Sequence, residues 1–157
     1  MKRTALAGLF VLMVGCFGAV FAQRGTAEAT INGKTVTVDY GRPTLQGRDM
    51  LGKLPVGASW RMGMNAATTL NTPGTLKFGS TVIAPGTYEL TAKRVEADKF
   101  HLVFNKDGQT TEVPLSSKQA SANVETFTID LKSAGGNKGS FSMAWGAMHA
   151  ATDFTVE

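Results

Sequence analysis

From Glu28 onward, apolar side chains fall on every second residue rather than every third or fourth, the period of a half-buried β-strand. Ala27, Ala29 and Ile31 interleave with Glu28 and Thr30, and Val36, Val38 and Tyr40 interleave with Thr37 and Asp39. Between the two runs sits Asn32-Gly33, a pair that takes the positive φ angles of a type I′ turn at low cost. The chain therefore opens on a β-hairpin. Similar runs follow at 75–78, 87–92, 100–105, 109–115, 125–131, 140–145 and 153–156, separated by turn pairs such as Pro73-Gly74, Pro85-Gly86 and Asp107-Gly108. This spacing predicts an all-β fold, a single antiparallel β-sandwich of roughly eight to ten short strands.

Three stripes supply the expected core: Phe100, Leu102 and Phe104; Phe127, Ile129 and Leu131; Phe141, Met143 and Trp145. Each puts its large side chains on one strand face, and two facing sheets bury such stripes against each other. No segment carries an amphipathic helix. Residues 47–54 and 117–123 are read as loops with at most a helical turn, and 146–151 as a flexible connection.

Ahead of this pattern lie Lys2 and Arg3, an apolar run from Ala5 to Phe21, and Val20-Phe21-Ala22. These are the three parts of a secretory signal. Cleavage is expected between Ala22 and Gln23, leaving residues 23–157 as one exported domain, periplasmic or extracellular, with no transmembrane anchor. An alternative reads Met13-Val14-Gly15-Cys16 as a lipoprotein box, with Cys16 acylated and the protein tethered to a membrane.

Part of the formal charge of +4 belongs to that leader. What remains has no basic stripe with interleaved aromatics, which argues against a nucleic-acid partner. Cys16 is the single cysteine, so the processed domain carries no disulfide, thiol nucleophile or thiolate metal site. His101 and His149 are the only histidines, and neither has a second ligand at a zinc-motif spacing. No metal or other cofactor is expected.

The alternation breaks between Asp39 and Leu70, where Arg42, Arg48, Trp60, Arg61, Asn65 and Thr68 crowd among glycines and prolines. One reading is a pocket for a small polar or anionic ligand or a sugar, built from Arg61, Asn65 and Thr68 beside Trp60, since the arginine fork pairs with carboxylates and phosphates. The other is a structural buckle. Asp39 would clamp an arginine while the remaining guanidinium hydrogens hold loop carbonyls that no ladder satisfies. Trp60 fits either a stacking platform or a plug under the loop; Trp145 reads as core.

The same segment resembles a bacterial exported family known as domain of unknown function 2911. Tyr40-Gly41-Arg42-Pro43, Gly47-Arg48, Leu51-Gly52, Trp60-Arg61, Gly63, Asn65, Ala67-Thr68-Thr69, Pro85-Gly86-Thr87-Tyr88 and Trp145 carry the resemblance. It implies export and a β-rich fold, and no reaction. Where the family pattern has Asn-Glu-Ala-Thr this chain has Asn65-Ala66-Ala67-Thr68, and no aromatic stands between Val113 and Asn123.

Chemistry is weakly marked. No Gly-x-Ser-x-Gly elbow singles out Ser59 or Ser80, and Asp39, Asp49, Glu89, Glu96 and Glu125 supply carboxylates for glycoside hydrolysis without a visible pair. The expectation is a non-catalytic ligand-binding or envelope-associated module with its functional surface in 39–69. The alternatives are a hydrolase of a small or carbohydrate substrate and a structural module that pairs with an envelope protein through a strand edge.

Overall fold

The computed structural model describes residues 23–157, so the expected leader, with Cys16 and Ala22, lies outside the described residues. Eleven strands follow one another: β1 (Arg24–Ile31), β2 (Lys34–Gly41), β3 (Ser59–Trp60), β4 (Thr68–Thr72), β5 (Leu76–Phe78), β6 (Thr81–Ile83), β7 (Gly86–Glu96), β8 (Lys99–Lys106), β9 (Gln109–Pro114), β10 (Ser116–Ser133) and β11 (Lys138–Val156). One sheet has the order β1-β2-β4-β7-β8-β9, with β3 also beside β7; the other has the order β10-β11-β5-β6. Every pairing is antiparallel. The two sheets pack as a β-sandwich, as the alternation predicts.

The opening hairpin forms as expected, with Asn32 and Gly33 at φ 52° and 71° and Ala27 facing Val38, Ala29 facing Val36. All nine residues of the three predicted stripes are buried. Full burial of a Phe or Leu side chain is worth about 1.5–3 kcal/mol over exposure, so these stripes are the main reason the sheets face each other. Among the described residues no helix is long and apolar enough to cross a membrane.

Several expectations need correction. Residues 117–123 are not a loop with a helical turn and 146–151 are not a flexible connection; both lie within β10 and β11, the longest strands, at 18 and 19 residues. Their ladder runs from Ser116 opposite Ala151 to Ser133 opposite Gly139, with register shifts on either side of the Val124–Gly146 pair. Ladder hydrogen bonds to a partner strand hold a stretch whose own pattern is weak, and the irregularity hides its periodicity. The strands are thus neither all short nor only eight to ten. β4 begins inside the segment read as irregular, and β3 and β6 are too short to show alternation.

β3 and β4 occupy a single lane beside β7. Trp60 pairs with Ala92 and Thr68 with Leu90, so residues 61–67 form an excursion opposite one residue, Thr91. Met62 at its base is fully buried at φ 54°, and its carbonyl accepts a 2.6 Å hydrogen bond from the Thr68 hydroxyl. Gly63 lies against Gly41. A β-carbon on Gly41 would stand 2.6 Å from the Met64 carbonyl oxygen and 2.8 Å from its nitrogen, and one on Gly63 would stand 3.0 Å from the Gly41 nitrogen and oxygen. The two motif glycines are therefore where two backbones touch, a contact no side chain leaves room for.

Met62 is the side chain that anchors the excursion, so Met62→Ala is expected to cost about 2–5 kcal/mol, with Met62→Leu retaining most of the stability. Urea unfolding monitored by tryptophan fluorescence measures it. A loss below about 1 kcal/mol would mean the excursion collapses around the missing side chain and is no anchor.

Candidate functional site

The residues singled out in 39–69 separate into distinct places. Asp39 forms an exposed ion pair at 3.1 Å with Arg24, not with any of the three loop arginines. Arg42 reaches the opposite sheet, donating to the Phe127 carbonyl at 3.4 Å and the Thr128 hydroxyl at 3.3 Å. Arg61 donates to the Asn65 carbonyl at 2.5 Å, within the excursion. Thr68 is buried beneath it. Trp60 stacks on Trp145, with centroids 5.3 Å apart and planes 15° apart, and meets Phe127 edge-on at 4.7 Å.

Arg48 stands elsewhere. After β2 the chain crosses to the second sheet: Thr44 bridges to Thr126, the Leu45 amide donates to the Glu125 carbonyl at 3.0 Å, and the Phe127 amide donates to the Pro43 carbonyl at 2.9 Å. Beyond this seam, residues 45–54 arch back over the end of the sandwich. The Gln46 amide donates to Glu125 Oε1 at 2.9 Å and the Gly52 amide to Asp49 Oδ1 at 2.8 Å. Arg94 holds the arch from below. Its Nη1 donates to the carbonyls of Leu51 and Gly52, each at 3.3 Å, and Leu54 at 2.5 Å, and its Nε and Nη2 to the Ala97 carbonyl at 2.9 and 2.5 Å. One guanidinium thus ties the arch to the β7–β8 turn.

Under the arch opens a groove of about 630 Å³, bounded by residues 45–52, the β7–β8 turn and the irregular part of the β10–β11 ladder. This is within the size range of small-molecule sites, about 300–1,000 Å³. Leu45, Phe100 and Trp145 lie buried at its floor, while Arg48, Asp49, Asp98, Asn123 and Glu125 are exposed at its rim. Arg48 uses Nε on the Leu45 carbonyl at 3.2 Å, and its two terminal nitrogens have no hydrogen-bond partner among the described residues. Ser117 also lines the groove, and its Oγ is buried with no hydrogen-bond partner. Arg61, Asn65 and Thr68 do not line it.

The histidines lie apart from the groove lining. His101 Nδ1 is 2.9 Å from Glu112 Oε2, and Lys93 Nζ donates to Glu112 Oε1 at 2.9 Å, three strands contributing one residue each. The hydrogen bond from Lys93, with a smaller one from His101, holds the Glu112 carboxyl below the usual glutamate range. Among the described residues no group of three or more His, Cys, Asp or Glu is arranged to hold a metal ion.

Sequence reasoning named Arg48, and Glu125 only as one of several carboxylates, but passed over Arg94 and Ser117. A signal was present for both. Leu90 and Ala92 face inward, so Arg94 carries a charge in the inward register of β7; Ser117 follows Val113 and Leu115 in the same way. A polar residue at inward parity near a strand end marks where the sandwich opens.

A family model described as protein of unknown function (DUF2911) matches residues 22–154. No curated protein and no solved structure matches the chain.

Because Arg94 serves four carbonyls at once, Arg94→Ala is expected to lower stability by about 1–3 kcal/mol and to expose 49–57 to limited proteolysis. Arg94→Lys should rescue little, since an ammonium lacks the planar fork. Equal protease resistance in all three proteins would show that the arch stands without the clamp. For Glu112, whose folded pKa is depressed, the linked stability is present above the ordinary glutamate pKa and is lost as pH falls through the lowered value. Lys93→Ala should raise the carboxyl midpoint in an NMR titration; an unmoved midpoint removes Lys93 as the cause.

Proposed function

Since the chain belongs to the DUF2911 family, whose description names no reaction, we propose from the site itself that this is an exported, non-catalytic binding module that seats a small polar ligand in the groove under the arch. The observation that carries the reading is the division of labour between two arginines. All three guanidinium nitrogens of Arg94 are engaged by carbonyls of the arch and the β7–β8 turn, whereas Arg48 is fixed through Nε and its terminal nitrogens have no hydrogen-bond partner among the described residues. A fork held at its base and unengaged at its tip is pre-organised to receive an acceptor, which reduces the entropy lost on binding.

The apolar floor adds contact area, and its few polar groups give direction, the usual composition of a small-molecule site. The excursion at 61–67 supports this seat from a distance by placing Trp60 against Trp145, a floor residue. The loop arginines other than Arg48 act in this reading as buckles for irregular backbone.

A thermal-shift series on residues 23–157 tests it, using sugars, organic acids, phosphates and metal salts on wild type and Arg48→Ala. A ligand at a hundred times its Kd stabilises the folded state by about 2.7 kcal/mol. At least one class is expected to raise the wild-type midpoint, with the shift reduced in Arg48→Ala and the ligand-free midpoint little changed. No shift with any class would overturn the proposal, and chemical conversion of the added ligand would replace it with the hydrolase reading.

A further inference from the structure

Resting on that binding reading, we infer that the ligand of the groove is an uncharged, polyhydroxylated one, a sugar ring, received with its hydroxyl groups toward Ser117 and the rim and its C–H face on the apolar floor. The argument begins at the floor. Leu45, Phe100 and Trp145 are nearly sealed from solvent there, and among the described residues the one polar side-chain atom buried without a partner is Ser117 Oγ. A buried hydroxyl without a partner is costly and is expected to be satisfied by something outside the chain. A neutral hydroxyl suits a neutral ligand group. A carboxylate driven to the same depth would lose its hydration and meet as a cation only Arg94, whose three guanidinium nitrogens already serve main-chain carbonyls, and an ammonium would find its acids only at the exposed rim.

The rim points the same way. Arg48 brings donors only, Asp49, Asp98 and Glu125 acceptors only, and Asn123 both. Glu125 accepts from Gln46 through Oε1 alone and Asp49 from Gly52 through Oδ1 alone, so each keeps a second oxygen for a ligand. Any ligand of one charge meets a like charge on this rim. A ring of hydroxyl groups, each able to donate and accept, satisfies both kinds of partner at once, and its apolar face matches Phe100, Trp145 and Met148 below.

Isothermal titration with glucose, N-acetylglucosamine and cellobiose, beside acetate, lysine and inorganic phosphate, distinguishes the outcomes on wild type, Ser117→Ala and Glu125→Gln. At least one sugar is expected to bind wild type, and Ser117→Ala to weaken it about tenfold, the loss of one hydrogen bond. Ser117→Ala should leave the melting temperature equal or higher, since it removes an unpartnered polar atom. A purely structural serine would instead lower it. If acetate, lysine or phosphate binds in an Arg48-dependent way and no sugar does, the binding module stands and the sugar assignment falls. If sugars bind equally to wild type and Ser117→Ala, the assignment of this seat falls; if nothing binds, both readings do.

Discussion

Four aromatic rings contributed by both sheets hold the rest of the molecule in place. Tyr40 meets Phe127 edge-on at 5.6 Å, Phe127 lies against Trp60 and Trp145, and the two tryptophans stack. Tyr40 and Trp60 belong to the first sheet, Phe127 and Trp145 to the second. Such pairs add roughly 0.5–1.5 kcal/mol each beyond the area they bury, and they impose geometry as well. The polar edges are also engaged: the Tyr40 hydroxyl donates to the Ile129 carbonyl at 3.3 Å and Trp145 Nε1 to the Glu125 carbonyl at 3.1 Å. The second of these bonds is to the same carbonyl that receives the Leu45 amide. The stack, the seam and the start of the arch are thus fixed together at Glu125.

This arrangement explains why the irregular segment is rich in arginine and glycine. A chain that leaves one sheet, joins the edge of the other and returns exposes carbonyls that no ladder reaches, and buried or half-buried carbonyls need donors. Arg42, Arg48, Arg61 and Arg94 each give at least one hydrogen bond to a main-chain carbonyl. An arginine does this better than a lysine because its several donors diverge in one plane. Function, on this view, is confined to whatever guanidinium capacity the backbone leaves over. At the groove that remainder belongs to Arg48.

How much of this was legible in the sequence depends on the range of the interaction. Alternation is a property of neighbouring residues, so the opening hairpin and the three core stripes could be read directly. The half of β10 and β11 beyond the Val124–Gly146 irregularity could not, because its order comes from a partner strand across a disrupted register. The groove was less legible still. Its lining comes from 45–52, the β7–β8 turn and two distant stretches of β10 and β11, and density of polar residues along the chain drew attention instead to Arg61, Asn65 and Thr68. What local pattern did contain was parity: Arg94 follows the inward Leu90 and Ala92 of its strand, and Ser117 follows the buried Val113 and Leu115 across the β9–β10 junction.

The separation of excursion and groove bears on Ala66, where the resemblance implies a glutamate. That residue sits exposed in 61–67, on the excursion whose base is Met62, and it does not line the groove. A glutamate there would add a charge to a solvent-facing turn, where Arg61 already donates to the Asn65 carbonyl, and would contribute an ion pair of the weak surface kind. The contacts that define the excursion are made by Met62, Gly63 against Gly41, and Thr68, all present in this chain. The choice between an acid, which the resemblance implies, and the alanine present here therefore concerns the outer surface of a structural element and leaves the arch, the two arginines and the floor of the groove as they are. A function that resides in the groove is independent of that substitution, whereas one residing on the excursion would not be.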